Sequence, residues 1–354
     1  MTTTTGEQSA ERVRFIDLHR HPARRAYFAS DRPGIAHDAM LGAWVVDDPA
    51  LVSELLADER LAGVDVAKLV ARAEAKGAKL ENTRYLARYM PLWLEGEAHR
   101  ERRRDVGRLL QQRRRDLLDA LPGAVAARMR PLFIPGTVEV MSEVLAPLLD
   151  DIGAKLFGVD PSEFRVHQLS GVFDRVGVRR AERLDRQLGE ARAAIRDKLG
   201  ADAELEGPLL VLVLLSHDTL LGTLGESLHH VFIQAGGGPI DETAIPAWPP
   251  ETGVPFVERE TRVPLVVRGH HMPAGDMVRL MLQGLAYSPD PADNARMFGS
   301  GTHLCLGKPL AIEAWTLIAA ELARLDRRVT VIDYAPRVSH NALTVPARLK
   351  VRVH

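Results

Sequence analysis

The single cysteine of this 354-residue chain, Cys305, lies in the stretch Phe298-Gly299-Ser300-Gly301-Thr302-His303-Leu304-Cys305-Leu306-Gly307. Without context a lone cysteine reads as a small buried hydrophobe. Here glycines surround it, and a helix is expected to begin just beyond, at Pro309. A thiolate near a helix N-terminus is stabilised by the dipole and by free backbone N–H donors. Glycine lets the backbone pass close to a flat cofactor without side-chain collision. The setting favours a thiolate ligand beside a planar group over an inert core residue.

The same stretch fills every fixed position of Phe-Gly-x-Gly-x-His-x-Cys-x-Gly, the signature of the cytochrome P-450 superfamily, and on these residues the chain resembles the heme-thiolate monooxygenases. The resemblance implies heme b (iron protoporphyrin IX) as cofactor and Cys305 as the metal ligand, its thiolate pushing electron density onto iron. It implies that His303 bonds a heme propionate, that Phe298 packs beside the sulfur, and that Gly299 and Gly301 shape the loop. Three further landmarks agree. His99 and Arg103, four apart, share a helix face and can reach one anion; alone, such an arginine-rich helix is a solvated face. Arg259, upstream of the Gly275-Asp276 turn, stands where the family places a strand arginine for a propionate. Ser216-His217-Asp218-Thr219 is a polar island in an apolar helix. Its plain reading is a wet face with Thr219 bonded to a backbone carbonyl. The resemblance makes Asp218 and Thr219 the catalytic acid–alcohol pair that delivers protons in dioxygen activation.

The chain also departs from the family. No Glu-x-x-Arg stands where the family carries it: Glu242 has Ile245 where arginine belongs, and Glu258 and Arg262 are one residue too far apart. Ala235 to Pro255 is too short for the family's pair of helices, and Ser288 to Met297 is an abbreviated loop. The expected fold is mainly α with a small β portion: a single-domain heme-thiolate monooxygenase fold, shortened before the cysteine loop. Residues 1–30 read as a polar N-terminal segment and 31–354 as the single domain.

The elements that must position these groups follow from pattern. Trp44 to Val46 reads as a strand, and Asp48-Pro49 as the cap and first turn of a helix to about Asp58. Glu97 to about Ala120 reads as one or two basic helices, Val138 to Leu156 as apolar at helical spacing, and Phe173 to Leu199 as a surface helix or helix pair. A long helix runs from Gly207-Pro208 to about Ala235, stopped by Gly236-Gly237-Gly238 and Pro239. Pro246 to Pro255 is a proline-rich loop. Phe256 to Leu282 alternates like short strands, Ser288 to Gly307 is a loop, Pro309 to about Leu325 a helix, and Arg327 to Val353 short strands.

Composition limits the alternatives. Hydrophobic residues make up 46% and charged residues 26%, and the net charge of -1 gives no field favouring nucleic acid or membrane. One cysteine excludes a disulfide framework within the chain. The longest apolar run, Pro208 to Leu215, falls far short of the ~20 residues of a bilayer span, and the first residues lack the pattern of a signal peptide. A cytoplasmic protein is expected. The basic stretch from Arg100 to Arg115 lacks aromatic interleaving, so it reads as a solvated face or, by resemblance, as a dock for a ferredoxin or flavodoxin donor. The pairs His19/His21, His229/His230 and His270/His271 read as surface histidines.

The leading expectation is oxidation of a small or medium organic substrate in bacterial specialised metabolism, dependent on dioxygen. The alternative is heme-thiolate chemistry without external electrons: a peroxygenase, a dehydratase or isomerase, or nitrogen-group transfer from an N–O substrate. Third stands a non-catalytic partner protein. By resemblance the pocket wall is Tyr85 to Trp93, the helix around Leu215, and Val254 to Phe256.

Overall fold

The structure, a computed structural model, describes residues 18, 24–30, 33–158, 170–173, 177–199, 203–337 and 342–354. In chain order the helices are α1 (Arg24–Ala29), α2 (Pro49–Leu55), α3 (Val66–Glu74), α4 (Glu81–Ala87), α5 (Gly96–Met129), α6 (Ala146–Phe157), α7 (Val178–Leu199), α8 (Ala203–Ala235), α9 (Leu282–Ala286), α10 (Pro291–Arg296) and α11 (Lys308–Ala323). The strands are β1 (Ile35–Asp38), β2 (Ala43–Val46), β3 (Leu61–Gly63), β4 (Gly136–Glu139), β5 (Val257–Thr261), β6 (Leu265–Val267), β7 (His270–Met272), β8 (Met277–Leu280), β9 (Val329–Pro336) and β10 (Pro346–Val353). Five strands form one sheet in the order β1-β2-β8-β5-β3, with only β2 and β8 parallel. β4, β10 and β9 form a second sheet, and β6 and β7 a hairpin.

Local chemistry explains several boundaries. The Asp48 carboxylate accepts from the Leu51 N–H, and Pro49 takes the first helical position of α2. In α5 the buried stripe Leu117, Leu121, Val125 and Met129 repeats every four residues and carries one helix past Pro122, well beyond the expected end near Ala120. α7 is a single amphipathic helix that buries Leu184, Leu188, Ala191 and Ile195. Two expectations fail, the first to tertiary pairing that overrides local spacing and the second to a local cap. Val138 belongs to strand β4, opposite Val351 of β10, and Met141–Leu145 is a π turn before α6. The loop before Cys305 contains α10, started by the Asp290 side chain on Ala292 N–H.

α8 is the central helix. Leu210, Leu214, Leu224 and Leu228 are fully buried, and α5, α6, α11 and the β9–β10 hairpin contribute to the same core. By length and composition it matches a membrane span, which a count of uninterrupted apolar residues misses because Ser216, His217 and Asp218 break the run. Protein buries 78% of its most apolar window, so its apolarity serves the core.

Between Ala235 and Val257 the only helical element is a 3₁₀ turn at Glu242–Ala244. The proline-rich segment that follows is pinned from several sides. Trp315, fully buried in α11, donates to Pro246 O at 2.8 Å. Arg25 donates to Glu251 and to Pro250 O. Gly253 meets α8 backbone to backbone: a Cβ there would collide with Thr219 O, and one at Gly222 with Thr344 O, so only glycine fits either place. Arg24 lies 2.8 Å from Glu226 and 3.7 Å from Glu251. Its Nε donates to Tyr287 Oη, Tyr287 donates to Glu251, and Tyr334 donates to Glu226. The polar N-terminal segment thus sends a buried cation into the core. Burial and the neighbouring Glu251 push Glu226 up to about 7, against the pull of Arg24.

Removing Arg24 strands a buried carboxylate, so Arg24→Ala should cost about 3 kcal/mol in urea unfolding. The cost should be greater at pH 8 than at pH 5, because the orphaned Glu226 takes up a proton in the folded state and that stability is lost as pH rises. A loss below about 1 kcal/mol at pH 8 would show that α1 is not held by this pair.

Candidate functional site

The Cys305 loop folds back on itself. Cys305 N–H donates to Phe298 O at 2.8 Å. Gly299 has φ +85°, and a Cβ on it would lie 2.9 Å from His303 O, so the tight return requires glycine. Lys308, the first residue of α11, donates to Ala295 O at 3.0 Å and sits 5.4 Å from the Trp248 ring and 5.9 Å from the Phe298 ring. Trp248 and Phe298 lie with ring centroids 6.4 Å apart. The pinned proline-rich segment therefore supports the cysteine loop through Trp248.

The Cys305 side is open to solvent, yet burial among protein atoms is the largest influence on its thiol and raises its pKa. Both hold together when the sulfur lines a recess rather than an outer surface. The backbone N–H groups of Gly307 and Lys308, and the charges of Arg103 and Lys308, pull the other way and favour thiolate.

Four basic side chains converge on this recess from three elements: His99 and Arg103 from α5, Arg259 from β5, and His303 from the loop. The His99 and His303 rings lie 4.4 Å apart between centroids. Burial, then the charges of Arg259 and His99, draw His303 down to about 4. Burial and Arg103 draw His99 below its ordinary value. Burial also lowers Arg259 and Arg103. Neither arginine forms an ion pair with a carboxylate among the described residues; Arg103 donates to Leu304 O and Arg259 to its neighbour Glu258 O. His99 Nε2 is buried with no hydrogen-bond partner. An accessible cysteine, four basic groups that meet a single carboxylate among the described residues, Glu95, and an orphaned buried ring nitrogen suit a planar ligand with two carboxylates, as heme b has.

Asp218 and Thr219 lie elsewhere in the arrangement, in the middle of α8, with no direct contact to these cations. Leu215, Ser216, His217 and Thr219 keep partial exposure within an otherwise buried helix, so that stretch faces open space. Asp218 is fully buried, 2.9 Å from His217 Nδ1 and 3.0 Å from Arg337 Nη1. The Thr219 hydroxyl donates back to Leu215 O. Of the expected pocket wall, the Tyr85 and Tyr89 rings lie 4.9 Å apart between centroids, tilted by 36°.

Sequence reasoning missed Glu95, Trp248, Lys308 and Arg337. Lys308 had a local signal, its place at the start of the helix after the cysteine; the others are joined to the site only by distant contacts. The near-miss pair does not form: Glu258 pairs with Arg279 at 2.8 Å, and Arg262 with Glu95 at 2.6 Å. The histidine pairs also read differently. His229 is half-buried and stacks on Tyr334 at 3.8 Å, His230 is half-buried too, and His19/His21 lie outside the described residues. The arginines of α5 are a solvated face in part, with Arg100 and Arg104 near Glu97 and Arg102 and Arg108 near Asp105.

The long central helix, the mixed sheet beside it and the cysteine loop running into α11 make up the fold of the cytochromes P450. PksS, the cytochrome P450 of the Bacillus subtilis bacillaene polyketide synthase, matches with TM-score 0.74 over 95% of this chain and 99% of its own, at 15% identity. P450BioI, solved with an acyl carrier protein ligated to hexadec-9Z-enoic acid, matches with TM-score 0.72 over 96% and 99%, at 16% identity. RauA, solved with a biosynthetic intermediate of aurachin RE, matches with TM-score 0.71 over 97% and 98%, at 18% identity. No protein-family model matches the chain, and no curated protein matches it in sequence.

The electrostatics can be read by titration. His303, His229 and His230 are each drawn to about 4 from an ordinary 6.5. Between those values the unfolded chain binds more protons than the folded one, so stability rises with pH across that window and is complete above it. The cofactor-free chain should lose urea resistance as pH falls from 6.5 toward 4, and the His303 ring signals in NMR should titrate below pH 5. A His303 titration at pH 6 or above would contradict the crowded-cation geometry.

Proposed function

We propose that the protein is a heme-thiolate oxidoreductase that uses dioxygen and external electrons to oxygenate a small or medium organic substrate, as a cytoplasmic enzyme of bacterial specialised metabolism. The observation that carries this reading is the convergence of His99, Arg103, Arg259 and His303, which outnumber their one neighbouring carboxylate, Glu95, beside the accessible Cys305. The P450 fold supports it, as do neighbours whose names place them in polyketide and aurachin biosynthesis.

Heme b, when bound, supplies one-electron and dioxygen chemistry. Cys305 provides the thiolate, with the Gly307 and Lys308 N–H groups offsetting its charge. His99, Arg103, Arg259 and His303 neutralise the two carboxylates, which a buried site cannot hold unpaired. On the other side, the open stretch of α8 receives the substrate. There Asp218, held between Arg337 and His217, relays protons inward from the part-exposed Arg337 side. The Thr219 oxygen, its own hydrogen engaged with Leu215 O, accepts the incoming proton donor. The exposed Arg113, Arg114 and Arg115 of α5 extend the basic face offered to an acidic ferredoxin or flavodoxin.

The first test is spectroscopic. The reduced protein under carbon monoxide should show the Soret band of thiolate ligation, and Cys305→Ala should lose it; a histidine-type band, or no heme, would refute the proposal. Arg103→Ala and Arg259→Ala should each weaken heme retention.

The second test is turnover. With the true substrate, product formation should require dioxygen and a reductase system, and Thr219→Ala or Asp218→Asn should lower it ~100-fold or more. Full turnover without oxygen or electrons would place the enzyme in the other heme-thiolate class. Unchanged turnover in both variants would remove the proton-delivery role alone.

A further inference from the structure

One carboxylate already stands among the four cations. Glu95, the residue before α5, places Oε1 3.5 Å from His303 Nε2. Its charge also acts on His99 and on Arg259. Three of the four basic groups therefore face Glu95, while Arg103 faces Cys305. Glu95 is held there on both oxygens. Oε1 accepts from Gly63 N–H at 2.6 Å and Oε2 from Arg262 Nη2 at 2.6 Å. Gly63 lies opposite Arg259 in the β3–β5 register. It leaves no room for a side chain, because a Cβ there would sit 2.7 Å from Leu92 O and 3.3 Å from Glu95 Oε1. Glu95 also occupies the cap position of α5 without making a side-chain cap bond. Its carboxylate is directed to the cation cluster instead of the helix end.

We propose that Glu95 is a resident counter-carboxylate of the heme pocket, a positioning residue that sets how tightly the cofactor is retained. The inference rests on the heme reading above. In the cofactor-free chain Glu95 offsets the crowded positive charge. When the cofactor's carboxylates arrive, the same fixed charge opposes them, and they must share His303 with it. Retention is therefore a balance between four basic groups and three carboxylates, weaker than the four basic groups alone would give.

The two states should respond in opposite directions to its removal, which an ordinary structural residue would not do. Glu95→Gln keeps the side-chain length and an acceptor for Gly63 but removes the charge. Reconstituted with hemin, this variant should lose heme to excess apo-globin about tenfold more slowly than the parent, the partial exposure of Glu95 limiting the effect. Its cofactor-free form should unfold at lower urea than the cofactor-free parent. Glu95→Ala should show the same slowing of heme loss, because charge and not shape is responsible. Heme loss as fast as the parent's, or faster, in both variants overturns the inference while a thiolate spectrum in the parent leaves the heme reading standing. A parent chain that takes up no heme overturns both.

Discussion

Basic groups crowded into a recess of low dielectric are the constraint on which this structure depends. His99, Arg103, Arg259 and His303 each feel burial as their largest perturbation, and several feel one another. Within the group only Glu95 offsets the crowding. The basic side chains are otherwise held by rigid elements anchored elsewhere: the 34-residue α5, the β3–β5–β8 pairing around Arg259, and the glycine return that fixes His303. The cluster is stable as geometry and unsatisfied as electrostatics, which is the condition of a site built to receive an anion.

The rest of the molecule compensates for the absence of the motif that braces this side in the family the chain resembles. Support arrives along a different route. Arg24 and Arg25 of α1 reach Glu226 of α8 and Glu251 of the proline-rich segment, that segment is stitched through Gly253 to Thr223 of α8 and to Thr344 just before β10, and Trp248 passes the support to Lys308 and Phe298 beside the cysteine. Prolines suit this duty, because the segment has few backbone donors to satisfy and little conformational freedom to lose.

What was legible in the sequence follows from range. The cysteine loop is local, so ten residues carried it. His99 and Arg103 were legible because helical spacing alone puts them on one face, and the start of α2 because the Asp48 cap is local. Glu95 was not, since its partners Gly63 and Arg262 lie 32 and 167 positions away. Arg24 was read as part of a polar, basic segment for the same reason: its buried partner is 202 positions distant. The helical spacing around Val138 misled because β10, more than two hundred residues later, recruits that stretch into a sheet. Thr219 shows the limit within the site itself. Its place in α8 was legible, and so was the plain reading of its hydroxyl bonded to a backbone carbonyl, which the structure shows at Leu215 O; what was not legible is Arg337, 119 positions away, on the adjacent Asp218.

The central helix also bears on how the chain is made. α8 has the hydropathy of a bilayer span, and part of its cover is β9 and β10, which leave the ribosome roughly a hundred residues later. At ribosomal speed that interval is on the order of ten seconds. For that time a nascent segment resembling a membrane anchor is incompletely covered, and the polar island Ser216-His217-Asp218 is what distinguishes it from one. An ionisable aspartate at the centre of a would-be span costs about 3 kcal/mol for insertion. The residue proposed to move protons in the finished enzyme thus also acts, earlier, as a barrier against misdelivery to a membrane.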